Sequence, residues 1–169
     1  MIPSLRALVL PCLIAAAITT STVFAQHTAD ADKSFVDKIY QDNLYELEAG
    51  KIAVQMADGE DIKDLAWKEV HDHELINRDL AALATANKIS LPSKLAPELQ
   101  QRLERMKDAS GRDFDNAYLA AMVKAHKTDE ELLAQETSDG NAEYKSFATS
   151  TAAIFKRHIA TLQSSDAKD

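Results

Sequence analysis

Apolar residues recur every three or four positions in four long segments of this chain, at about 33–57, 60–87, 112–136 and 141–163. This spacing places apolar side chains on one face of an α-helix. Glycine is scarce, and Gly59, Gly111 and Gly140 are three of only four in 169 residues; these three lie between the segments. The pattern predicts an all-α protein in which four amphipathic helices bury one face each.

The connection between the second and third segments is much longer than the other two. It runs over about 23 residues, 88–110, whereas the others are short turns. Leu91-Pro92 predicts extended chain, and Pro97 opens a short amphipathic helix carrying Leu99 and Leu103. A connection this long can cross from one end of a bundle to the other. We therefore predict a ferritin-like four-helix bundle with a long crossover carrying a short extra helix, with up-down-up-down topology as the alternative.

The first 25 residues have the layout of a secretory signal peptide. Arg6 precedes an apolar run at 7–18, and Val23-Phe24-Ala25 provides small residues at the cleavage positions before Gln26. The run is too short to span a bilayer comfortably, although an uncleaved anchor is the alternative. We predict a signal peptide at 1–25, a flexible leader at 26–32, the bundle at 33–163 and a disordered tail at 164–169. We expect the mature protein to lie in the periplasm, in solution or associated with the outer membrane, with no transmembrane segment.

Cysteine content and charge exclude several classes of function. Cys12, the only cysteine, lies inside the predicted signal peptide, so the mature chain would have neither disulfides nor thiolate metal ligands. Without residues 1–25, 18 basic residues face 27 acidic ones, a net charge of −9. This acidity disfavours nucleic acid as a partner and is compatible with cations.

Four polar residues lie on apolar helix faces, one in each predicted helix: Glu46, His73, His126 and His158. Glu46, for example, lies seven positions from both Ile39 and Ala53, and therefore shares their face. A polar side chain facing the core is costly unless it is hydrogen-bonded or bound to a metal. Helical bundles build internal metal sites from one such residue per helix. Imidazoles with a carboxylate suit a divalent transition metal such as Zn, Cu, Fe or Ni.

Helical rise brings most of these residues to one level of the bundle. At 1.5 Å per residue, Glu46 and His73 fall within roughly 5 Å of one level, which His126 can also reach, whereas His158 lies roughly 8 Å away. Glu69, four residues before His73, could be a further ligand. The same set could instead form a buried hydrogen-bond network without a metal.

The sequence lacks the common catalytic signatures. A di-iron carboxylate site requires Glu-x-x-His on two helices, but Glu69 lies four residues before His73 and Phe155 lies three before His158. No Gly-rich phosphate loop, G-x-S-x-G elbow or H-E-x-x-H motif is present. The sequence therefore leaves catalysis undecided and favours a non-enzymatic role.

Motifs spread over nearly the whole predicted mature chain resemble those of a bacterial ferritin-like family, domain of unknown function 4142. They are Glu46 with Gly50, Val70-x-Asp72-His73 with Asn77, Ile89-x-Leu91-Pro92, Gly111-x-x-Phe114-Asp115-x-x-Tyr118, Met122-Val123-x-x-His126-x-x-Asp129, and His158. This chain has Glu69 where the family usually has Met, and Ala152-Ala153 where Leu-Pro is common. The resemblance implies a secreted helical bundle, and the name of the family carries no established function.

Three functional interpretations remain open. The first is a periplasmic metal-binding bundle for metal storage, sensing or tolerance. The second is a structural or envelope-stress protein whose inward polar residues fix the packing register. The third, an oxygen-using or redox di-metal enzyme, is disfavoured by the missing Glu-x-x-His pairs.

Overall fold

The structure is a computed structural model that describes the backbone of residues 19–166 and the side chains of residues 30–165. This part of the chain contains five helices and no strands. They are α1 (Thr19–Met56), α2 (Glu60–Ala86), α3 (Pro97–Lys107), α4 (Gly111–Asp139) and α5 (Ala142–Asp166).

The four long helices form two antiparallel hairpins, α1 with α2 and α4 with α5. The hairpins pack through α1 against α4 and through α2 against α5. The crossover from α2 to α4 returns the chain to the end of the bundle where α2 began. Its helix α3 packs over the seam between α1 and α4, and Gln41 of α1 holds its start through the backbone of Lys94 and Ala96. This is the predicted ferritin-like arrangement.

Asp115 links the start of α4 to the turn between α1 and α2 by hydrogen bonds. Its carboxylate accepts hydrogen bonds from the backbone N–H groups of Asp58 and Gly59, both at 2.9 Å. A carboxylate that accepts two backbone N–H groups makes stronger hydrogen bonds than a neutral acceptor. These bonds set the height of α4 relative to the first hairpin.

Gly50 allows α1 and α2 to approach closely near the middle of the bundle. A Cβ atom at this position would lie 2.9 Å from Cγ2 of Val70 and 3.5 Å from the carbonyl oxygen of Ala66. The first of these distances is shorter than a van der Waals contact. Glycine therefore fits this close spacing of the two helices without a shift of Val70.

The core consists of two apolar clusters with a layer of polar side chains between them. One cluster lies toward the α1–α2 turn and includes Ala53, Leu65, Phe114 and Leu162. The other lies toward the opposite end and includes Ile39, Leu80, Leu133, Tyr144 and Phe155. The polar layer between them is buried and consists of Asn43, Glu46, Glu69, His73, His126, Asp129 and His158.

The structure confirms the predicted fold class and differs from the prediction at the ends of the helices. Helix α1 begins at Thr19 and includes 26–32, which the sequence predicts to be a flexible leader. No glycine or proline lies in that segment, so nothing in it terminates the helix. Helix α5 likewise continues to Asp166, past the predicted start of the tail at 164. Most of the predicted signal peptide, residues 1–18, lies outside the described residues.

Within the described residues, no helix is both long enough and apolar enough to cross a membrane.

Candidate metal centre

Three histidines from three helices meet in the polar layer. The ring centroids of His73 and His126 are 5.4 Å apart, those of His73 and His158 are 5.5 Å apart, and those of His126 and His158 are 5.1 Å apart. One ring nitrogen from each histidine lies within 4.8 Å of the others. His73 and His126 are fully buried, and His158 is 7% exposed.

Each histidine ring has one nitrogen directed at an oxygen acceptor. Nδ1 of His73 lies 2.5 Å from Oδ1 of Asn43, whose amide nitrogen donates to the backbone carbonyl of His73 and so orients the side chain. Nδ1 of His126 lies 2.9 Å from the carbonyl oxygen of Met122. Nε2 of His158 lies 2.9 Å from Oδ2 of Asp72. Because the Met122 carbonyl and the Asp72 carboxylate accept but do not donate, and the Asn43 amide is turned to accept, we assign the proton to each of these ring nitrogens.

The other nitrogen of each ring therefore carries a lone pair. Nε2 of His73 has no hydrogen-bond partner. Nε2 of His126 and Nδ1 of His158 lie 2.9 Å apart. A neutral imidazole has only one N–H group, which is already engaged in each of these rings. The arrangement thus places two lone pairs of different rings face to face, with a third unpartnered nitrogen in the same buried layer.

Glu69 directs one free carboxyl oxygen toward this cluster. Its Oε2 accepts a hydrogen bond of 2.9 Å from the hydroxyl of Tyr118, whereas its Oε1 has no partner and lies 3.9 Å from Nδ1 of His158. Both side chains are almost fully buried. Tyr118 therefore fixes the orientation of the carboxyl group and leaves one oxygen on the side of the histidines.

Glu46 lies on the other side of the histidine rings. Its Oε1 is 3.1 Å from Nδ1 of His126 and its Oε2 is 3.6 Å from Nδ1 of His73. These are the nitrogens that donate to Met122 and Asn43. Neither oxygen of Glu46 has a hydrogen-bond partner. The Glu46 carboxyl group therefore lies against the N–H sides of the two rings without accepting a hydrogen bond from them.

Burial strongly favours the neutral form of the histidines. It lowers the pKa of His126 to about 3, with the neighbouring His158 acting in the same direction. Burial also lowers the pKa of His73 well below its usual value and, less strongly, the pKa of His158. Neutral imidazole is the form that binds metals.

The carboxyl groups of the layer are perturbed in the opposite direction. Burial raises the pKa of Glu69 to about 7. Burial raises the pKa of Glu46 well above its usual value, and nearby Asp129 and Glu69 raise it further. A cation bound in this layer would favour ionisation of these carboxyl groups by direct electrostatic attraction.

Phe155 closes the apolar side of the cluster. Its ring centroid lies 4.8 Å from that of His126 and 5.6 Å from that of His73. The aromatic residue three positions before His158 therefore occupies a place where a di-iron protein has a carboxylate. It excludes water from the cluster and lowers the local polarity.

The structure brings together all four residues that the sequence singles out. The sequence predicts an offset of roughly 8 Å between His158 and the others, but in the structure Nδ1 of His158 lies 2.9 Å from Nε2 of His126. Glu46 lies beside two histidines, although on their N–H sides. His71, two residues before His73 on α2, is exposed and stacks on Trp67.

Sequence reasoning missed Asn43, the acceptor of the His73 N–H group. Asn43 lies three residues before Glu46 and is fully buried, so its position on the same helix face was the available signal. Two residues of the motifs that resemble the family also contact the site: Asp72 binds His158 and Tyr118 binds Glu69. Asp115 instead holds the α1–α2 turn.

The fold and site define a helical bundle with a buried histidine cluster. The chain belongs to the family described as domain of unknown function (DUF4142), whose model matches residues 17–164. The structure is similar to the crystal structure of a DUF305 fragment from Deinococcus radiodurans, with a TM-score of 0.73 and 12% sequence identity. That similarity covers 81% of this chain and 95% of the fragment, and at this identity it shows the fold alone. None of the curated proteins compared with this chain matches it.

Proposed function

We propose that this protein binds one divalent transition-metal ion through His73, His126 and His158, with Oε1 of Glu69 as the fourth ligand. The observation that carries this proposal is that the two nitrogens of each histidine ring have different surroundings. One nitrogen of each ring donates to Asn43, Met122 or Asp72, and the opposite nitrogens share one buried layer. Metal-binding histidines commonly have such partners, which fix the tautomer and orient the ring.

The contact between His126 and His158 favours a metal over a hydrogen-bond network. Two lone pairs 2.9 Å apart repel each other unless a proton or a cation lies between them. A bridging proton is disfavoured because burial lowers the pKa of both rings, that of His126 to about 3. Three neutral imidazoles with a carboxylate oxygen instead match the ligands of Zn, Cu, Fe or Ni. Under this proposal, Glu46 lies against the N–H sides of the His73 and His126 rings and balances the charge of the ion.

Metal content tests the proposal directly. The full mature chain is purified without chelators, its bound metals are measured by mass spectrometry, and the metal-free protein is titrated with Zn²⁺, Cu²⁺, Ni²⁺ and Fe²⁺. We expect one equivalent of a transition metal per chain, lost in His126→Gln and retained in His71→Gln, an exposed histidine on α2. Far less than one equivalent, with no saturable binding by any of the four ions, would contradict the proposal.

A structural role is the second candidate, and Asn43 and Tyr118 favour it. Each already holds a buried polar side chain of the layer without a metal, His73 and Glu69 respectively. A network of this kind can fix the register of a bundle. In that case, the Tm of the protein would be the same in a strong chelator as in added Zn²⁺.

We also propose that residues 1–25 direct export to the periplasm and are then removed. Arg6, the apolar run at 7–18 and Val23-Phe24-Ala25 support this. The experiment is fractionation of cells that express the full chain, followed by mass measurement of the product. We expect a periplasmic protein that begins at Gln26, and a cytoplasmic product retaining residues 1–25 would refute export.

A further inference from the structure

A groove opens on the surface between α1, α3 and α4. It encloses about 830 Å³, a volume within the range of roughly 300–1,000 Å³ that small-molecule sites occupy. Gln41 of α1 lines the groove and holds the start of α3, because its side chain donates to the carbonyl oxygen of Lys94 at 2.9 Å and accepts from the N–H group of Ala96 at 2.6 Å. The wall that α3 forms is therefore tied to the bundle.

The apolar part of the groove is the outer side of one core cluster. Tyr45, Leu99 and Met106 line the groove, are almost fully buried, and belong to the cluster that lies toward the α1–α2 turn. Helix α4 contributes Ala121 and Ala125, which lie four residues apart and therefore on the same side of the helix. Their short side chains leave space over the cluster. An apolar group placed in this space would be removed from water on contact with the core.

Four basic side chains from all three helices line the same groove. They are Lys38 of α1, Arg102 and Arg105 of α3, and Lys124 of α4. All four are exposed, and among the described residues none of them forms an ion pair. Arg102 and Arg105 lie three residues apart, so they are neighbours on the surface of α3. In a chain with a net charge of −8, basic side chains thus come together from three helices around one groove.

The acidic side chains of the groove do not neutralise these four. Asp37, Asp42 and Glu98 also line it, but Asp37 forms an ion pair with Lys33, which is outside the groove. Neither Asp42 nor Glu98 forms an ion pair with a described basic residue. Four cationic groups therefore face two carboxyl groups that have no ion-pair partner, and this excess of positive charge attracts an anion.

We propose that the α1–α3–α4 groove binds the anion of a medium-chain fatty acid. Its carboxylate pairs with Arg102 and Arg105, because a guanidinium group offers two parallel N–H donors to a carboxylate. Its acyl chain covers Leu99, Met106 and Ala121. A neutral lipid would leave the arginines without an anion, and a small anion would leave the apolar lining in water. The site is separate from the histidine cluster and requires no metal ion.

Isothermal titration of the full mature chain with decanoate, below its micellar concentration, tests this site. We expect saturable binding of one decanoate per chain, and Kd values at least about tenfold higher for decanol and for acetate, each of which lacks one half of the interaction. The double variant Arg102→Gln with Arg105→Gln should raise the Kd of decanoate by about tenfold or more, since it removes the charged donors. Ala121→Phe, which fills the apolar part of the groove, should also raise it.

The matched control is Arg112→Gln, which removes an exposed arginine of α4 that does not line the groove and should leave the Kd unchanged. Both arginines of the double variant are exposed, so this variant should fold, and a wild-type Kd in it would overturn the proposal. Absence of saturable decanoate binding by the wild type would also overturn it. Binding to anionic phosphatidylglycerol vesicles without binding of decanoate would overturn it too, because the groove would then contact a membrane surface.

Discussion

Nε2 of His126 and Nδ1 of His158 lie 2.9 Å apart inside the bundle, and each ring uses its other nitrogen as a donor to an oxygen. The two nitrogens that face each other therefore both carry lone pairs. In a metal-free protein this contact is repulsive, whereas a cation between the two nitrogens makes it attractive. A metal ion bound at this contact would therefore raise the stability of the whole bundle.

The first prediction is that metal raises thermal stability. A ligand that binds only the folded state stabilises it by about 2.7 kcal/mol at a free concentration one hundred times Kd. We expect the Tm of the wild type to rise by roughly 5–11 °C at that concentration of free Zn²⁺, since about 1 kcal/mol shifts Tm by some 2–4 °C in domains of this size. Calorimetry measures the shift, and His158→Gln should abolish it.

The second prediction concerns the pH dependence of the metal-free protein. Burial raises the pKa of Glu69 to about 7, so the folded state holds this proton where the unfolded chain has lost it, and stability decreases as pH rises from about 4.5 through 7. Burial lowers the pKa of His126 to about 3, so stability also decreases as pH falls from about 6.5 toward 3. Each pKa unit corresponds to about 1.4 kcal/mol.

These opposing effects place the stability maximum of the metal-free protein between about pH 4.5 and 6.5. Urea denaturation at a series of pH values measures the free energy of unfolding. Glu69→Gln should reduce the loss of stability between pH 6.5 and 8 and leave the acid side unchanged. A variant curve parallel to the wild type above pH 6.5 would count against a buried, protonated Glu69.

The third prediction separates the two glutamates. Oε1 of Glu69 lies toward the lone-pair side of the histidines, and Glu46 lies on their N–H side. Losing a direct ligand should weaken binding more than losing a partner of the rings, whose removal typically costs about 10–100-fold in affinity. Isothermal titration should therefore show a larger increase in Kd for Glu69→Gln than for Glu46→Gln. The reverse order would make Glu46 the carboxylate ligand.

The fourth prediction concerns Gly50. Replacing glycine by alanine inside a helix normally stabilises it by up to about 1 kcal/mol. Here the new methyl group would lie 2.9 Å from Cγ2 of Val70, and overpacking typically costs about 1–3 kcal/mol. We expect Gly50→Ala to decrease the free energy of unfolding in urea, while Lys51→Ala, an exposed neighbour, changes it little. A more stable Gly50→Ala protein would mean that α2 can move away from α1.

Periodicity and the crossover length were sufficient to predict the fold. Each buried face repeats with the helical period, and Pro97 marks the start of α3 as expected. The same periodicity found Glu46, His73, His126 and His158, because a polar residue stands out on an apolar face. It could not show which nitrogen of each ring faces its neighbours, since that depends on side-chain rotamers and on the height of each helix.

The roles of Asn43 and Glu69 depend on contacts between helices, which the residue pattern of a single helix does not reveal. Asn43 contacts His73 across the α1–α2 interface, and Tyr118 orients Glu69 from α4. These contacts join residues 30 and 49 positions apart. They follow from the relative height of the helices, which the hydrogen bonds of Asp115 and the packing at Gly50 help to determine.

The division of the core into two apolar clusters has consequences for how the bundle unfolds. Each cluster draws residues from all four long helices, and the polar layer lies between them along the whole cross-section. The apolar packing is therefore interrupted at the polar layer, and the two ends are joined by the four continuous helices and by the polar side chains between them. Without an ion, amide protons at the two ends should exchange as separate cooperative units. With an ion shared by α2, α4 and α5, the two ends should unfold as one.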